Sequence, residues 1–284
     1  MRGMSASGHR ANSFRAVLTG CLIILVYALI YLLGPFNGFF NQLILGSLTL
    51  VASALVAVYA TLIFRLLLPS DAPRAVWRNF AIGFWLWTIA GFLWLLHGLT
   101  IGTVGGTASG LALSHLFWFV AYIFFSIALY RQHQIMAGTR RAHGVWIVFG
   151  TWAAVLAATL LTMRGLGESP AFLTFLQYFF GFANLAVGIV GLSMLIAFRG
   201  GALAWPWWGF VGLAVSNIVY EVLDASMFAS ASTTTLLILE MLSELSYLGA
   251  YLVLAFGFYK HSLLLLHGPR LNQPAARPSA SPAP

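Results

Sequence analysis

The chain has 284 residues, of which 61% are apolar and only 7% charged. A soluble domain carries about 25% charged residues, so these few charges cannot cover a water-soluble globule of this size, and lipid is the expected solvent. The net charge of +8 sits in short flanks between apolar runs, which points to membrane topology and not to nucleic-acid binding. The one cysteine, Cys21, excludes a disulfide framework or a cysteine-ligated metal within one chain.

In chain order, residues 1–13 form a basic N-terminal segment with Arg2 and Arg10. No small-residue cleavage site follows, so the first apolar run is expected to stay as a helix. Eight segments are long enough to span: Phe14–Gly34, Phe39–Arg65, Asn79–Gly98, Gly110–Tyr130, Gly144–Arg164, Ala171–Phe198, Trp205–Phe228 and Thr234–Tyr259. About 20 residues rising ~1.5 Å each cross a ~30 Å hydrocarbon core. Gly98–Gly110 reads as a glycine-rich outer connection without a phosphate-loop lysine. His133, His143, His261 and His267 read as headgroup contacts among the arginines. Leu271–Pro284, rich in Pro, Ala and Ser, cannot bury a core and is expected to be disordered.

Charge orients these segments. Of the 14 Lys and Arg residues, all but Arg164 fall on the termini or on the second–third, fourth–fifth and sixth–seventh connections. Both termini are therefore expected in the cytoplasm of a plasma or bacterial inner membrane.

The fourth and eighth segments align without a gap. Ala121-Tyr122 matches Ala250-Tyr251, Tyr130-Arg131 matches Tyr259-Lys260, and His115 falls on Glu244 and Trp118 on Tyr247. The third and seventh segments begin Trp-rich and carry a late aromatic, Trp94 against Tyr220, in a register open by a residue or two. The second and sixth both end Phe-Arg. The expected architecture is an all-α membrane protein of eight helices in two parallel four-helix repeats, 14–130 and 144–262. A basic connection, 131–143, joins them, and 263–284 is the tail.

Ala90–Trp94, Ser216–Tyr220 and the run Glu244–Tyr251 resemble the multi-pass N-terminal membrane sensor regions of bacterial diguanylate cyclases and histidine kinases. The resemblance covers the third, fourth, seventh and eighth segments. Those regions carry an acidic residue beside the late glycine, where this chain has Phe92 or Asn217. The resemblance implies a sensor-like membrane module, and the output domain of those proteins has no counterpart here.

Six acidic residues occur in the chain. Four of them, Glu221, Asp224, Glu240 and Glu244, lie in the last helical hairpin. A carboxylate at the centre of a membrane helix costs about 2.5–3.5 kcal/mol on insertion scales, so the grouping needs a reason. Asn217, Glu221 and Asp224 fall at i, i+4 and i+7, one helical face. Glu240, Glu244, Tyr247 and Tyr251 form a second stripe. These residues are the candidate ligand, proton or cation site, with Glu221 and Glu244 expected to face each other or a water-filled cavity. His97 and His115 lie at the same outer end. With the carboxylates they are candidate ligands for a metal such as zinc, manganese or iron, and the two histidines are candidate axial ligands for haem. No cofactor is required by the sequence. No nucleophile motif is present; Ser243 beside Glu244 does not make one.

Three functions follow. The first is a sensor-like, ligand- or ion-binding bundle working with a membrane or signalling protein. The second is a small secondary transporter using the intramembrane carboxylates. The third is a membrane enzyme or metal-binding subunit built on His97, His115 and the carboxylates.

Overall fold

The computed structural model describes residues 6–34, 38–104, 113–137, 141–165, 172–198, 202–224 and 233–267. Some side chains within these helices, those of Glu221 and Asp224 among them, lie outside that description, as do the residues of the tail. The described chain is all-helical. Its eight α-helices are α1 (Ala6–Leu33), α2 (Gly38–Leu66), α3 (Arg74–Val104), α4 (Leu113–Ala137), α5 (Arg141–Gly165), α6 (Phe172–Phe198), α7 (Trp205–Asp224) and α8 (Thr233–His267). Among the described residues, six helices, α1–α4, α6 and α8, are long and apolar enough to cross a membrane. The chain is therefore an all-α, multi-pass type of membrane protein. The described side chains of α5 and α7 cover shorter stretches, 150–165 and 205–220.

Several helices outrun their expected bounds. The α3 helix continues through Gly98 to Val104, so the first half of the expected glycine-rich connection is helical. Residues 105–112 lie outside the described set. The α4 helix runs to Ala137 and α5 starts at Arg141, so most of the expected basic connection is helix as well. The α8 helix reaches His267. His261, expected among headgroups, instead packs its ring against Trp77 at 4.8 Å. Apolar periodicity gives the spanning part of each helix but not the polar turns beyond the bilayer, where backbone hydrogen bonds continue the helix at little cost.

Local chemistry sets the ends. Gly34 closes α1 in the left-handed conformation, φ 49°, and its N–H donates to Ile30 O at 3.0 Å, a glycine C-cap. Between α2 and α3, Asp71 Oδ2 accepts from Leu68 N at 2.7 Å while Arg74 N donates to Asp71 O at 3.0 Å, an aspartate-centred turn. Pro206 sits in the first turn of α7, where its missing N–H costs nothing.

The neighbour relations form a pattern. The pairs α1–α2, α2–α3 and α3–α4 each have a counterpart four helices on: α5–α6, α6–α7 and α7–α8. The cross-pairs do too: α2–α8 answers to α6–α4, and α1–α8 to α5–α4. At the centre, Phe84 of α3 packs on Phe125 of α4 at 4.8 Å, on Phe210 of α7 at 5.7 Å and on Phe258 of α8 at 5.6 Å. Phe80 lies beside the same group, 5.3 Å from Phe210. This plug of aromatic rings fills the bundle axis. Two glycines allow the close approach beneath it. A Cβ on Gly83 would stand 2.5 Å from the Phe125 ring, and one on Gly209 2.8 Å from Leu254 N.

Candidate functional site

The site is built where α1 meets α8. These helices run antiparallel, and each carries a polar pair at i, i+4 spacing in an otherwise apolar face. Tyr27 Oη donates to Glu244 Oε2 at 3.1 Å, and Tyr31 Oη donates to Glu240 Oε2 at 3.2 Å. The two rungs run in opposite chain directions, as antiparallel helices require. Among the described side chains of α1, Tyr27 is the buried one. Phe14, Leu18, Leu22, Leu25, Leu29 and Leu32 are exposed along the opposite flank, the surface that lipid would cover. Thr49 of α2 lies beside the Tyr27 hydroxyl. Glu240 is exposed and Glu244 half-buried, so the pair leads from the bundle surface toward its interior.

The stripe continues inward on α8. Trp87 Nε1 donates to Tyr247 Oη at 3.1 Å, and Tyr251 Oη lies 2.8 Å from Tyr247 Oη. On the far side, Tyr122 Oη donates to Asn184 Oδ1. Polar groups from α1, α8, α3, α4 and α6 thus share the half of the bundle on one side of the phenylalanine plug. Lipid supplies no hydrogen bonds, so each buried polar atom must find its partner within the protein.

Of the residues expected to form the site, Glu240, Glu244 and Tyr247 share the expected stripe, and helix α1 joins it. Asn217 lies on the axis-facing side of α7, with Nδ2 buried and unpartnered. Glu221 and Asp224 fall in the last turn of α7; their side chains lie outside the described residues, so the expected meeting of Glu221 with Glu244 does too. His97 and His115 both set their rings against Trp94, at 6.1 and 5.7 Å, and His115 also stacks on Phe180 at 6.0 Å. Among the described residues no three of His, Cys, Asp and Glu form a group able to hold a metal ion.

The sequence left Tyr27, Tyr31 and Trp87 outside the expected site. Tyr27 and Tyr31 carried a signal, two tyrosines one turn apart matching the spacing of Glu240 and Glu244. Aromatic residues near helix ends usually belong to interfacial belts, and that reading concealed the match. Comparison of the chain with known protein families, with curated proteins and with solved structures returns no match.

Proposed function

We propose that this chain is a sensor-like membrane module whose bundle binds a proton or a cationic ligand at Glu240 and Glu244, on the extracytoplasmic side. The single observation that carries the reading is the double Tyr–Glu ladder, which holds Glu244 in a helix seam with Glu240 at its exposed rim. A carboxylate at that depth is costly unless it has a task or a partner, and the ladder leaves each carboxylate with lone pairs to spare. The resemblance of the third, fourth, seventh and eighth helices to sensor regions points the same way, and the output is a membrane or signalling protein partner. The phenylalanine plug favours sensing over the alternative, a secondary transporter, because transport through the axis requires those rings to part.

The proposal includes eight spans in two parallel four-helix repeats. Three observations support it. Each neighbouring helix pair has its counterpart. The register that matches Ala121 with Ala250 also sets buried Ser114, Tyr122 and Leu129 on buried Ser243, Tyr251 and Phe258. Gly83 packs on Phe125 as Gly209 packs on Leu254, and those two partners are equivalent in the same register. The glycines pair Phe84 with Phe210 and Trp94 with Tyr220.

Reporter fusions at Asn37, Gly105, Glu168 and Ser230 are expected to read extracytoplasmic, and fusions at Asp71, Gly138, Gly200 and the C-terminus cytoplasmic. Opposite signals at the two termini would sink the eight-span arrangement.

The binding reading is tested by thermal unfolding of the purified full-length protein in detergent. Sodium and butylammonium are titrated against the wild type and the Glu240→Gln/Glu244→Gln variant. A cation present at a hundredfold its dissociation constant stabilises by about 2.7 kcal/mol. That shift is expected for at least one cation in the wild type and is expected to vanish in the variant. Equal responses of the two proteins would reject the site.

A further inference from the structure

Two turns outward from the phenylalanine plug, toward the Glu240–Glu244 end, lies a second layer that the acidic pair does not explain. Trp118 is seven residues from Phe125, Asn217 seven from Phe210, and Tyr247 seven from Leu254. Each therefore stands on the same helix face as its counterpart and about 10 Å further out along the bundle. Trp87 ties the layer together: its ring packs 6.2 Å from that of Trp118, and its Nε1 donates to Tyr247.

This layer leaves two N–H donors without an acceptor. Trp118 Nε1 and Asn217 Nδ2 are buried without a partner. Ser114, one turn outward of Trp118 on the same face of α4, is 1% exposed, and its Oγ is also unpartnered. Tyr247 and Tyr251 share one hydrogen bond between two hydroxyls. Whichever phenol donates, the other's proton is left over, since a phenol carries one proton. Buried donors without acceptors are costly and normally find a partner. The two buried N–H groups call for an acceptor oxygen.

The missing oxygen is not that of an anion. Glu244 lies one turn outward of Tyr247 on the same stripe, and Arg164, the one basic residue of the outer connections, is exposed on α5. A buried anion with a carboxylate for a neighbour and no cation would be poorly solvated and repelled. A neutral carbonyl oxygen fits the donors. The carboxylates one and two turns outward of Tyr247 on the same stripe fit an ammonium group, and an aromatic ring on that stripe has a face that attracts organic cations.

We infer that this end of the bundle binds a small primary amine that also carries a carbonyl oxygen. The ammonium sits at Glu240 and Glu244, and the carbonyl oxygen accepts from Trp118 Nε1 and Asn217 Nδ2, one on each lone pair. The inference rests on the acidic-site reading above and names its ligand class.

Three probes separate the two ends: butylamine, butanamide and 4-aminobutanamide, titrated calorimetrically into the purified full chain. The two-ended probe is expected to bind at least tenfold tighter than either one-ended probe, about 1.4 kcal/mol. Asn217→Leu and Trp118→Phe are each expected to reduce 4-aminobutanamide to the level of butylamine while leaving butylamine unchanged. Asn217→Gln, which keeps the amide donor, is expected to retain part of the preference. If Asn217→Leu does not fold, as judged by gel filtration, Trp118→Phe carries the test. Equal affinities of butylamine and 4-aminobutanamide for the wild type overturn the carbonyl end alone. Failure of butylamine itself to bind overturns this inference, and the acidic-site reading falls with it only where sodium also leaves the wild type and the Glu240→Gln/Glu244→Gln variant alike.

Discussion

Gly209→Leu is expected to cost the protein about 1–3 kcal/mol of stability, the usual range for forcing extra carbon into a packed interior. Gly209 faces α8 where a Cβ would stand 2.8 Å from Leu254 N and 2.9 Å from Leu254 Cδ2. Rotation of the Leu254 side chain relieves the second clash but not the first, since a backbone nitrogen moves only if the whole helix moves. Helices in a membrane gain little from burying apolar surface against each other, because lipid tails are equally apolar, so close backbone approach through small residues carries much of their association. Pushing α7 from α8 therefore strikes the interaction that holds the last hairpin together. The same substitution at Gly83 meets the Phe125 ring at 2.5 Å, with the nearest backbone atom, Ala121 O, at 3.4 Å. Gly83→Leu is thus expected to be milder, since a ring can turn where a backbone cannot. Thermal unfolding of both variants in the same detergent checks the order, and equal losses would refute the distinction.

The second large effect is expected at the α1–α8 seam. A hydrogen bond to a charged group contributes about 1.5–3 kcal/mol in soluble proteins, whereas polar pairs within membranes average about 0.6 and reach about 1.7 kcal/mol. Tyr27 is buried while Glu244 is half-buried, so the coupling between them is expected near the upper membrane value, about 1–2 kcal/mol. A double-mutant cycle with Tyr27→Phe and Glu244→Leu isolates it, since the first removes only the hydroxyl and the second removes the acceptor. The rest of α1 touches the bundle sparsely and faces outward along Leu18, Leu22, Leu25 and Leu29, so loss of this rung is expected to loosen the whole helix. Reaction of Cys21, exposed on α1, with a lipid-soluble maleimide gives an independent reading of the helix's freedom. Single substitutions whose effects simply add would mean that the two side chains do not support each other.

Composition and apolar period alone dictated an all-helical membrane bundle with eight helices. A chain with so little charge has no alternative solvent, and in lipid the backbone must satisfy its own hydrogen bonds. The stripe Glu240–Glu244–Tyr247–Tyr251 was also legible, because residues at i, i+4 and i+7 share a face whatever the helix packs against. That the stripe also meets α1 was not legible. Sequence adjacency pointed to the neighbouring α7, whose acidic side chains lie outside the described residues. Tertiary packing brought α1 across from the far end of the chain and set Tyr27 and Tyr31 opposite the carboxylates. A pairing between such distant segments leaves matching i, i+4 spacing in each but nothing in either that names its partner. It depends on how eight cylinders close around the rings of Phe84, Phe125, Phe210 and Phe258, and on the two glycines that let the cylinders approach. Periodicity reports the face that each helix buries, but only the packed bundle decides what that face is buried against.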